Sequence, residues 1–316
     1  MIPERIAATI DPVFAQWLRD THVELPDGFV PSTEQMRAAF AQMAAAVDSP
    51  IHTSINIVDQ TVPGRTGHNI PVRVYRNEGA DSAAPVCVFI HGGGWVLGNL
   101  DTHNSLCADI ARQAKVTVVA VDYRLSPEHQ FPAALHDCED VVLHVVNNAD
   151  ELNIDQSRMA VLGDSAGANL ATACCISLLD RNVQFKTQVL VYPALGASMD
   201  APSYTENADV PGLSVEDMAF YFRAYNGGDV PKGPLAAPLQ LSDVGAQPNT
   251  FISVAEFDPL RDDGTQYASK LEKAGVNVTL RTENGLGHSY LWLRHSSVVA
   301  REAFAAQTAF LKDQLA

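Results

Sequence analysis

Short apolar runs alternate with amphipathic segments along most of the chain, and this alternation predicts the secondary structure. Residues 86–90 and 116–121 are continuously apolar, which is typical of parallel strands covered on both faces. Residues 55–58 and 72–75 alternate apolar and polar side chains, as half-exposed antiparallel strands do. Further strands are predicted at 158–163, 187–192, 250–255 and 276–281.

Helical segments separate these strands. They are predicted at 104–114, 133–148, 166–180, 264–274 and 297–314. Regular alternation of strands and helices predicts an α/β fold with a doubly wound, mostly parallel sheet of eight strands and helices on both faces.

The first 50 residues, 1–50, are predicted to form a helical segment before the sheet domain, 51–316. Ser32, with Gln35 three residues later, matches a capping box and predicts the start of a second helix. The apolar residues that recur at helical spacing before it are Ile10, Val13, Phe14, Trp17 and Leu18.

Residues 196–240 interrupt the alternation of strands and helices. They are rich in proline and glycine and contain one predicted helix, 214–225, with Phe220 among its aromatic residues. The aromatic density favours a cap or pocket wall that packs with the N-terminal helices. The alternative is a plain surface excursion.

The charge balance limits the classes of partner. Lys and Arg number 21 against 37 Asp and Glu, the net charge is −16, and no basic block occurs. Nucleic acid and anionic membranes are therefore not expected as partners. No apolar run approaches the ~20 residues of a membrane span, and the N-terminus lacks the apolar region of a secretory signal.

Cysteine usage indicates a cellular compartment. There are five cysteines, an odd number without the spacing of a disulfide framework or a zinc site. Cys87 lies in a predicted strand, and Cys174 and Cys175 lie in a predicted helix, so buried free thiols are expected. Free thiols persist in a reducing compartment, and we therefore predict a cytoplasmic protein.

Residues 163–167, Gly-Asp-Ser-Ala-Gly, are the most informative motif. They match G-x-S-x-G between a predicted strand and a predicted helix, the context in which the pattern forms a nucleophile elbow. Gly163 and Gly167 allow the helix to pack closely on the strand. Ser165 then lies at a strained turn with its hydroxyl exposed above the sheet, which makes it the candidate nucleophile.

A glycine-rich loop, His-Gly-Gly-Gly-Trp at 91–95, follows the predicted strand 86–90. Consecutive glycines leave backbone N–H groups unshielded and permit unusual dihedral angles. Such a loop can direct donors at an oxyanion, together with the N–H of the residue after the nucleophile, Ala166. The alternative reading is a flexible turn.

The candidate acid follows the predicted strand 250–255. Asp258 lies just past the C-terminal end of this strand, where sites form in open α/β sheets. Glu256 is too close to the strand, and the start of the next helix explains Asp262 and Asp263.

The candidate base is His288, in a glycine-rich loop after the last predicted strand. His295 is the rival, but it falls near the start of a predicted helix. The chain order Ser165, Asp258, His288 is the order of nucleophile, acid and base that follows an elbow of this kind. The predicted chemistry is acyl transfer through an acyl-enzyme intermediate.

These motifs together resemble those of the bacterial hormone-sensitive-lipase-like esterases, which have the α/β-hydrolase fold. The resemblance covers nearly the whole chain from about residue 55. With Asp164 before the serine, the chain resembles the subgroup whose members have Asp at that position. The matching motifs are residues 91–95, Asp-Tyr-Arg-Leu-Ser-Pro-Glu-His at 122–129, Phe-Pro-Ala-Ala at 131–134, 163–167 and 258–264.

The resemblance implies a serine carboxylesterase that acts on short- to medium-chain acyl esters and needs no cofactor or metal. It implies a helical cap from residues 1–50 and 196–240. It also implies that the first two glycines of the loop, Gly92 and Gly93, form the oxyanion hole with Ala166.

Pocket residues and assembly follow from the same resemblance. Trp95, Phe220 and Tyr290 are the candidate substrate contacts, and Tyr290 would replace an aromatic wall that usually follows the histidine. Many members form dimers through the edge strand, here about 276–281, so a homodimer is a possible partner arrangement.

Other functions remain open at this point. Some chains of this fold are ligand receptors without catalysis, although those usually lack the histidine that His288 supplies. An amidase or a transacylase would use the same residues. A metal hydrolase is disfavoured because no H-E-x-x-H motif occurs.

Overall fold

An eight-stranded sheet forms the centre of the protein. The computed structural model describes residues 2–22, 30–79, 83–196, 198–228 and 230–316. Within these ranges the sheet order is β1-β2-β4-β3-β5-β6-β7-β8. The strands are β1 (Ile55–Pro63), β2 (Asn69–Asn77), β3 (Ala84–Ile90), β4 (Thr117–Val121), β5 (Ile154–Asp164), β6 (Thr187–Val191), β7 (Asn249–Phe257) and β8 (Val278–Gly287).

The pairing of the strands confirms the mostly parallel sheet. β1 pairs antiparallel with β2, and β2 pairs antiparallel with β4. The strands from β4 to β8 in the sheet order are all parallel. The strands with continuous apolar runs, β3 and β4, lie inside the sheet, and the alternating strands β1 and β2 lie at one side. This is what their hydrophobic patterns predict.

The described helices lie on both faces of the sheet, as predicted. None of the helices in the described ranges is long and apolar enough to cross a membrane. The helices are α1 (Pro12–Thr21), α2 (Thr33–Val47), α3 (Asn104–Ala114), α4 (Ala133–Asn147), α5 (Ala166–Ser177), α6 (Pro202–Glu206), α7 (Val215–Asn226), α8 (Arg261–Lys273) and α9 (Val298–Gln314).

Strand alternation divides the core into two layers. In β3, Val86 and Val88 join the layer that contains the buried residues of α4, α5 and α8. Cys87 and Phe89, which point to the opposite face, join the layer of α1, α3 and α9. Alternate side chains of β3 thus face helices on opposite sides of the sheet. Because both faces are buried, the sequence of such a strand is continuously apolar.

Several elements differ from the sequence-based prediction, and for two of them, α8 and α6, the reason is identifiable. α8 begins at Arg261 and not at the predicted residue 264. Gly264 does not mark the start of the helix but lies inside it. A Cβ on Gly264 would lie 2.4 Å from a methyl carbon of Val254, so the glycine lets the helix approach β7 closely. The short helix α6 gave no periodic signal because its five residues make little more than one turn.

The predicted cap segments both contribute helices above the carboxyl ends of the strands. Ser32 and Gln35 form the predicted capping box at the start of α2. Ser214 caps α7, the predicted helix of the insertion. The ranges 1–50 and 196–240 also include residues 1, 23–29, 197 and 229, which lie outside the described residues.

The N-terminal segment is anchored to the sheet by α1. Phe14 has no exposed surface, and its ring packs against Gly287 at the end of β8. The backbone N–H of Asp11 also donates to the carbonyl of Gly285 at 2.8 Å. The start of α1 is therefore packed against the last strand of the sheet.

We expect Phe14→Ala to lower the free energy of unfolding by about 3–5 kcal/mol, because it removes a fully buried ring and leaves a cavity. Urea unfolding followed by tryptophan fluorescence measures the change. Arg19→Ala, on the exposed face of the same helix, is the matched control and should change stability by less than about 0.5 kcal/mol. Equal stability of the two variants would contradict cooperative unfolding of α1 with the sheet.

Candidate active site

Ser165 lies in the sharp turn between β5 and α5. Its backbone has φ 54° and ψ −121°, a strained conformation for a residue with a side chain. The strain is held by the sheet, since the N–H of Ser165 donates to the carbonyl of Val191 at 2.8 Å. The turn presents the hydroxyl to a cavity above the sheet.

The glycines of the elbow are required by close contacts. A Cβ on Gly167 would lie 2.0 Å from the carbonyl oxygen of Ile90, at the end of β3. A Cβ on Gly163 would lie 2.3 Å from the backbone of Gly167. Helix α5 therefore sits directly on the ends of β3 and β5, which explains the spacing of the two glycines.

Ser165, His288 and Asp258 form a continuous hydrogen-bonded chain. Nε2 of His288 lies 3.0 Å from Oγ of Ser165, and Nδ1 lies 2.7 Å from Oδ2 of Asp258. Asp258 is fully buried, and its other oxygen accepts a hydrogen bond from the N–H of Leu260 at 2.8 Å. The three side chains come from the carboxyl ends of β5, β7 and β8.

The rival acids have other partners. Glu256 lies within β7 and accepts the N–H of Gly285 at 2.7 Å. Asp262 accepts the N–H of Ser203 at 2.9 Å. Asp262 and Asp263 lie in the first turn of α8, as predicted, but they also bind the backbone of the insertion.

Asp263 anchors the start of this insertion. Its Oδ2 accepts the N–H groups of Leu195 and Gly196 at 2.9 and 2.7 Å. Burial raises the pKa of Asp263 to about 7, although these two bonds oppose the shift.

The rival histidine, His295, is exposed and contacts Asp109 at 2.8 Å. Asp109, in α3, also accepts a hydrogen bond from the buried Arg294, so His295 belongs to an ion-paired cluster at α3. Of the two histidines, only His288 lies within hydrogen-bonding distance of Ser165 in the structure.

One of the predicted oxyanion donors, Gly92, has another partner in the structure. The N–H of Gly92 donates to Oδ1 of Asp164 at 2.9 Å, so it is not available to an oxyanion. The next two glycines, Gly93 and Gly94, have φ values of 113° and 61° and line the cavity beside Ala166. Of the predicted pair, Gly93 therefore lines the cavity, whereas the N–H of Gly92 is bonded to Asp164.

Asp164 is the centre of a buried polar cluster beneath this loop. Nε2 of His103 lies 3.5 Å from its Oδ1, and the hydroxyl of Tyr192 lies 3.4 Å from its Oδ2. Burial alone would raise the pKa of Asp164, but His103 and the N–H of Gly92 outweigh it and hold the pKa below its usual value. Burial lowers the pKa of the neighbouring His91 to about 3, so His91 is neutral.

A cavity of about 390 Å³ opens above Ser165, and most of its lining is apolar. Residues from both predicted cap segments take part, since α1, α2 and α7 each supply lining side chains. The described residues that line it are Trp17, Thr21, Met36, Ala39, Phe40, Met43, Gly93, Gly94, Trp95, Leu97, Asp164, Ser165, Ala166, Ala194, Gly212, Leu213, Asp217, Met218, Tyr221, His288, Ser289 and Trp292.

The three predicted substrate contacts have different positions. Trp95 lines the cavity and stacks on Tyr225 with ring centroids 4.4 Å apart. Phe220 is not among the lining residues, because the rotation of α7 places its neighbour Tyr221 there instead. Tyr290 is fully buried and its hydroxyl lies 2.7 Å from that of Ser253, so it supports the site from below.

Two residues near the site were not identified from the sequence. The ring of Tyr192 lies 4.7 Å from that of His288, and the backbone of Tyr192 has a positive φ of 36°. Tyr192 follows the strand β6, and this position was the available signal. Asp217 lines the cavity from the first turn of α7, where the sequence predicted only a helix over 214–225.

The elbow, the hydrogen-bonded chain and the sheet order together define the class, since this is the geometry of the α/β-hydrolase fold. A family model described as the alpha/beta hydrolase fold matches residues 87–292. Carboxylesterase NlhH of Mycobacterium tuberculosis is 40% identical over 268 residues, 83% of each chain. Ethyl acetate hydrolase of Pseudomonas putida is 34% identical over 82% of this chain and 83% of its own.

Solved structures agree with these sequence relatives. The esterase of Pyrobaculum calidifontis superposes with a TM-score of 0.88 at 34% identity, covering 96% of this chain and 98% of that one. The chain belongs to the α/β-hydrolase family, among its hormone-sensitive-lipase-like carboxylic ester hydrolases.

Overpacking typically costs about 1–3 kcal/mol. We expect Gly167→Ala to destabilise the protein by more than this, because the new Cβ meets backbone atoms that cannot move aside. Thermal unfolding of purified protein measures the effect. Gly228→Ala is the matched control, since a Cβ there has nothing within 4 Å. Equal melting temperatures for the two variants would show that α5 can move away from β3.

Proposed function

We propose that Ser165 is the nucleophile, His288 the general base and Asp258 the residue that orients it. The observation that carries this proposal is the hydrogen-bonded chain from Ser165 through His288 to the buried Asp258. The Oγ of Ser165 attacks the acyl carbonyl carbon while its proton moves to Nε2 of His288. Asp258 keeps the proton on Nδ1 and stabilises the imidazolium that forms.

The acyl-enzyme forms and is then hydrolysed by the same groups. His288 returns the proton to the leaving alcohol as the ester C–O bond breaks, and the acyl group remains on Ser165. A water molecule then gives a proton to His288 and attacks the acyl carbon. Collapse of this second intermediate releases the acid and restores the hydroxyl of Ser165.

We assign the oxyanion hole to the N–H groups of Gly93, Gly94 and Ala166. All three residues line the cavity beside Ser165, and the N–H of Ala166 is free of helical partners because it begins α5. Donors placed where the negative charge develops stabilise the tetrahedral intermediate. Asp164 acts as a positioning residue, because it holds the loop by the N–H of Gly92.

We further propose that the substrates are esters of short to medium acyl chains. The cavity of about 390 Å³ is near the small end of the about 300–1,000 Å³ that ligand sites occupy. Its apolar walls, including Trp95 and Tyr221, favour an aliphatic acyl group. One relative is named for the hydrolysis of a short ester, ethyl acetate.

The cap, the location and the assembly belong to the same proposal. Residues 1–50 and 196–240 form the cap, which is supported by the cavity residues that both segments supply. A cytoplasmic location is supported by the five buried, unpaired cysteines. Dimerisation would use the edge strand β8, where Leu280 is exposed.

We expect Ser165→Ala to lower kcat for 4-nitrophenyl butyrate by roughly 10⁴-fold or more, because the nucleophile is lost while the fold is kept. Circular dichroism checks the fold. His295→Ala is the control, since His295 lies at the surface beside Asp109, and it should retain wild-type activity. A Ser165→Ala variant with most of its activity would refute the assignment.

We expect Asp164→Ala to lower kcat by about 100-fold with little change in KM, because a misplaced oxyanion donor affects the transition state and not substrate binding. Asp164→Asn should keep kcat within about tenfold, since an amide oxygen can still accept the N–H of Gly92. Steady-state kinetics on 4-nitrophenyl butyrate distinguishes the two variants. If both lose activity equally, the hydrogen bond to Gly92 is not what matters.

A further inference from the structure

The cavity carries one exposed charge, and the charge is negative. Among its described lining residues, Asp164 and Asp217 are the acidic side chains, and none is Lys or Arg. Asp164 is buried and bonded to Gly92. Asp217 is exposed, so its charge acts on whatever part of a substrate enters beside it.

The position of Asp217 is held by its own helix. Its Oδ2 accepts hydrogen bonds from the N–H and the hydroxyl of Ser214, at 2.9 and 2.8 Å. One turn further on the same face of α7 is Tyr221, whose ring covers Gly94 of the glycine-rich loop. The carboxylate is therefore fixed about one helical turn from the loop that faces Ser165.

Three aromatic rings also line the cavity. The ring of Trp292 lies 4.9 Å from that of Phe40 and 6.1 Å from that of Trp17, measured between centroids, and all three line the cavity. The faces of aromatic rings attract cations, most strongly ammonium groups that keep few waters. A cavity lined by an exposed carboxylate and by aromatic rings suits a cationic group better than a neutral or anionic one.

We propose that the cavity prefers esters that carry an ammonium group, which is held between Asp217 and the aromatic wall of Trp17, Phe40 and Trp292. This proposal rests on the proposed function, since it concerns the substrates of the same site. The net charge of −16 acts in the same direction by attracting cations and repelling carboxylate-bearing esters.

The expected preference is modest for physical reasons. Asp217 is exposed to water, and the positive N-terminal end of α7 offsets part of its charge. Exposed ion pairs and cation–π contacts each contribute little. We therefore expect Asp217 to account for a factor of about three to ten in kcat/KM.

The test compares matched esters of equal shape. Butyrylcholine has a trimethylammonium group in its alcohol part, and 3,3-dimethylbutyl butyrate is its neutral counterpart. A second pair places the charge in the acyl part: 4-nitrophenyl 4-(trimethylammonio)butyrate and 4-nitrophenyl 5,5-dimethylhexanoate. The measurement is the ratio of kcat/KM, cationic over neutral, in the wild type and in variants, so that differences in intrinsic reactivity cancel.

The variants are Asp217→Asn and Glu216→Gln. Asparagine can still accept the N–H of Ser214, so the helix cap is kept. Glu216 is exposed in the same turn and is not a lining residue, so its variant changes the net charge equally. We expect Asp217→Asn to lower the ratio by about three- to tenfold in at least one pair, and Glu216→Gln to leave it unchanged.

The outcomes separate this inference from the proposed function. If 4-nitrophenyl butyrate is not hydrolysed by the wild type, the proposed function fails. If it is hydrolysed and Asp217→Asn leaves both ratios unchanged, the cation preference is refuted. Equal effects of the two variants, or no turnover of either cationic ester, would also refute it.

Discussion

The contact between helix α5 and the ends of β3 and β5 is the constraint on which the site depends. Gly167 touches the carbonyl of Ile90, and Gly163 touches Gly167, with no room for a side chain at either position. This contact forces the turn at Ser165 into a backbone conformation with positive φ. The same contact brings the glycine-rich loop, which directly follows β3, beside the serine. One packing requirement thus places both the hydroxyl and the neighbouring backbone donors.

Parallel strands explain how distant segments meet at this point. The carboxyl ends of β5, β7 and β8 lie at one edge of the sheet, so Ser165, Asp258 and His288 come together from three separate parts of the chain. Their supports are also strand residues: Ser253 of β7 contacts the hydroxyl of Tyr290, just beyond His288 in sequence. The strained turn costs free energy locally, and the surrounding sheet supplies the hydrogen bonds that hold it.

Sequence patterns predicted the strands and the positions of the three site residues because each depends on local order along the chain. The apolar runs of β3 and β4 and the loop positions of Asp258 and His288 are of this kind. Side-chain and N–H directions depend on contacts between elements, and there the sequence was insufficient. Gly92 turns toward Asp164, which lies at the end of another strand. Phe220 and Tyr221 differ by one residue, and only the rotation of α7 against the glycine loop decides which one faces the cavity.

Chemistry and selectivity thus have different structural sources. The sheet edge supplies the proposed reacting groups, whose geometry is fixed by backbone packing and leaves little freedom for change. The walls come from α1, α2 and α7, which meet the site through side chains such as Trp17 and Asp217. Asp263 links the two parts, because it lies in the first turn of α8, after β7, and binds the backbone where the insertion follows β6. A substitution on the walls can therefore change which ester is accepted while the hydrogen-bonded chain at Ser165 stays intact. On our proposals, the size, apolar lining and charge of the walls then decide which substrate is accepted, while the geometry of the proposed triad stays the same.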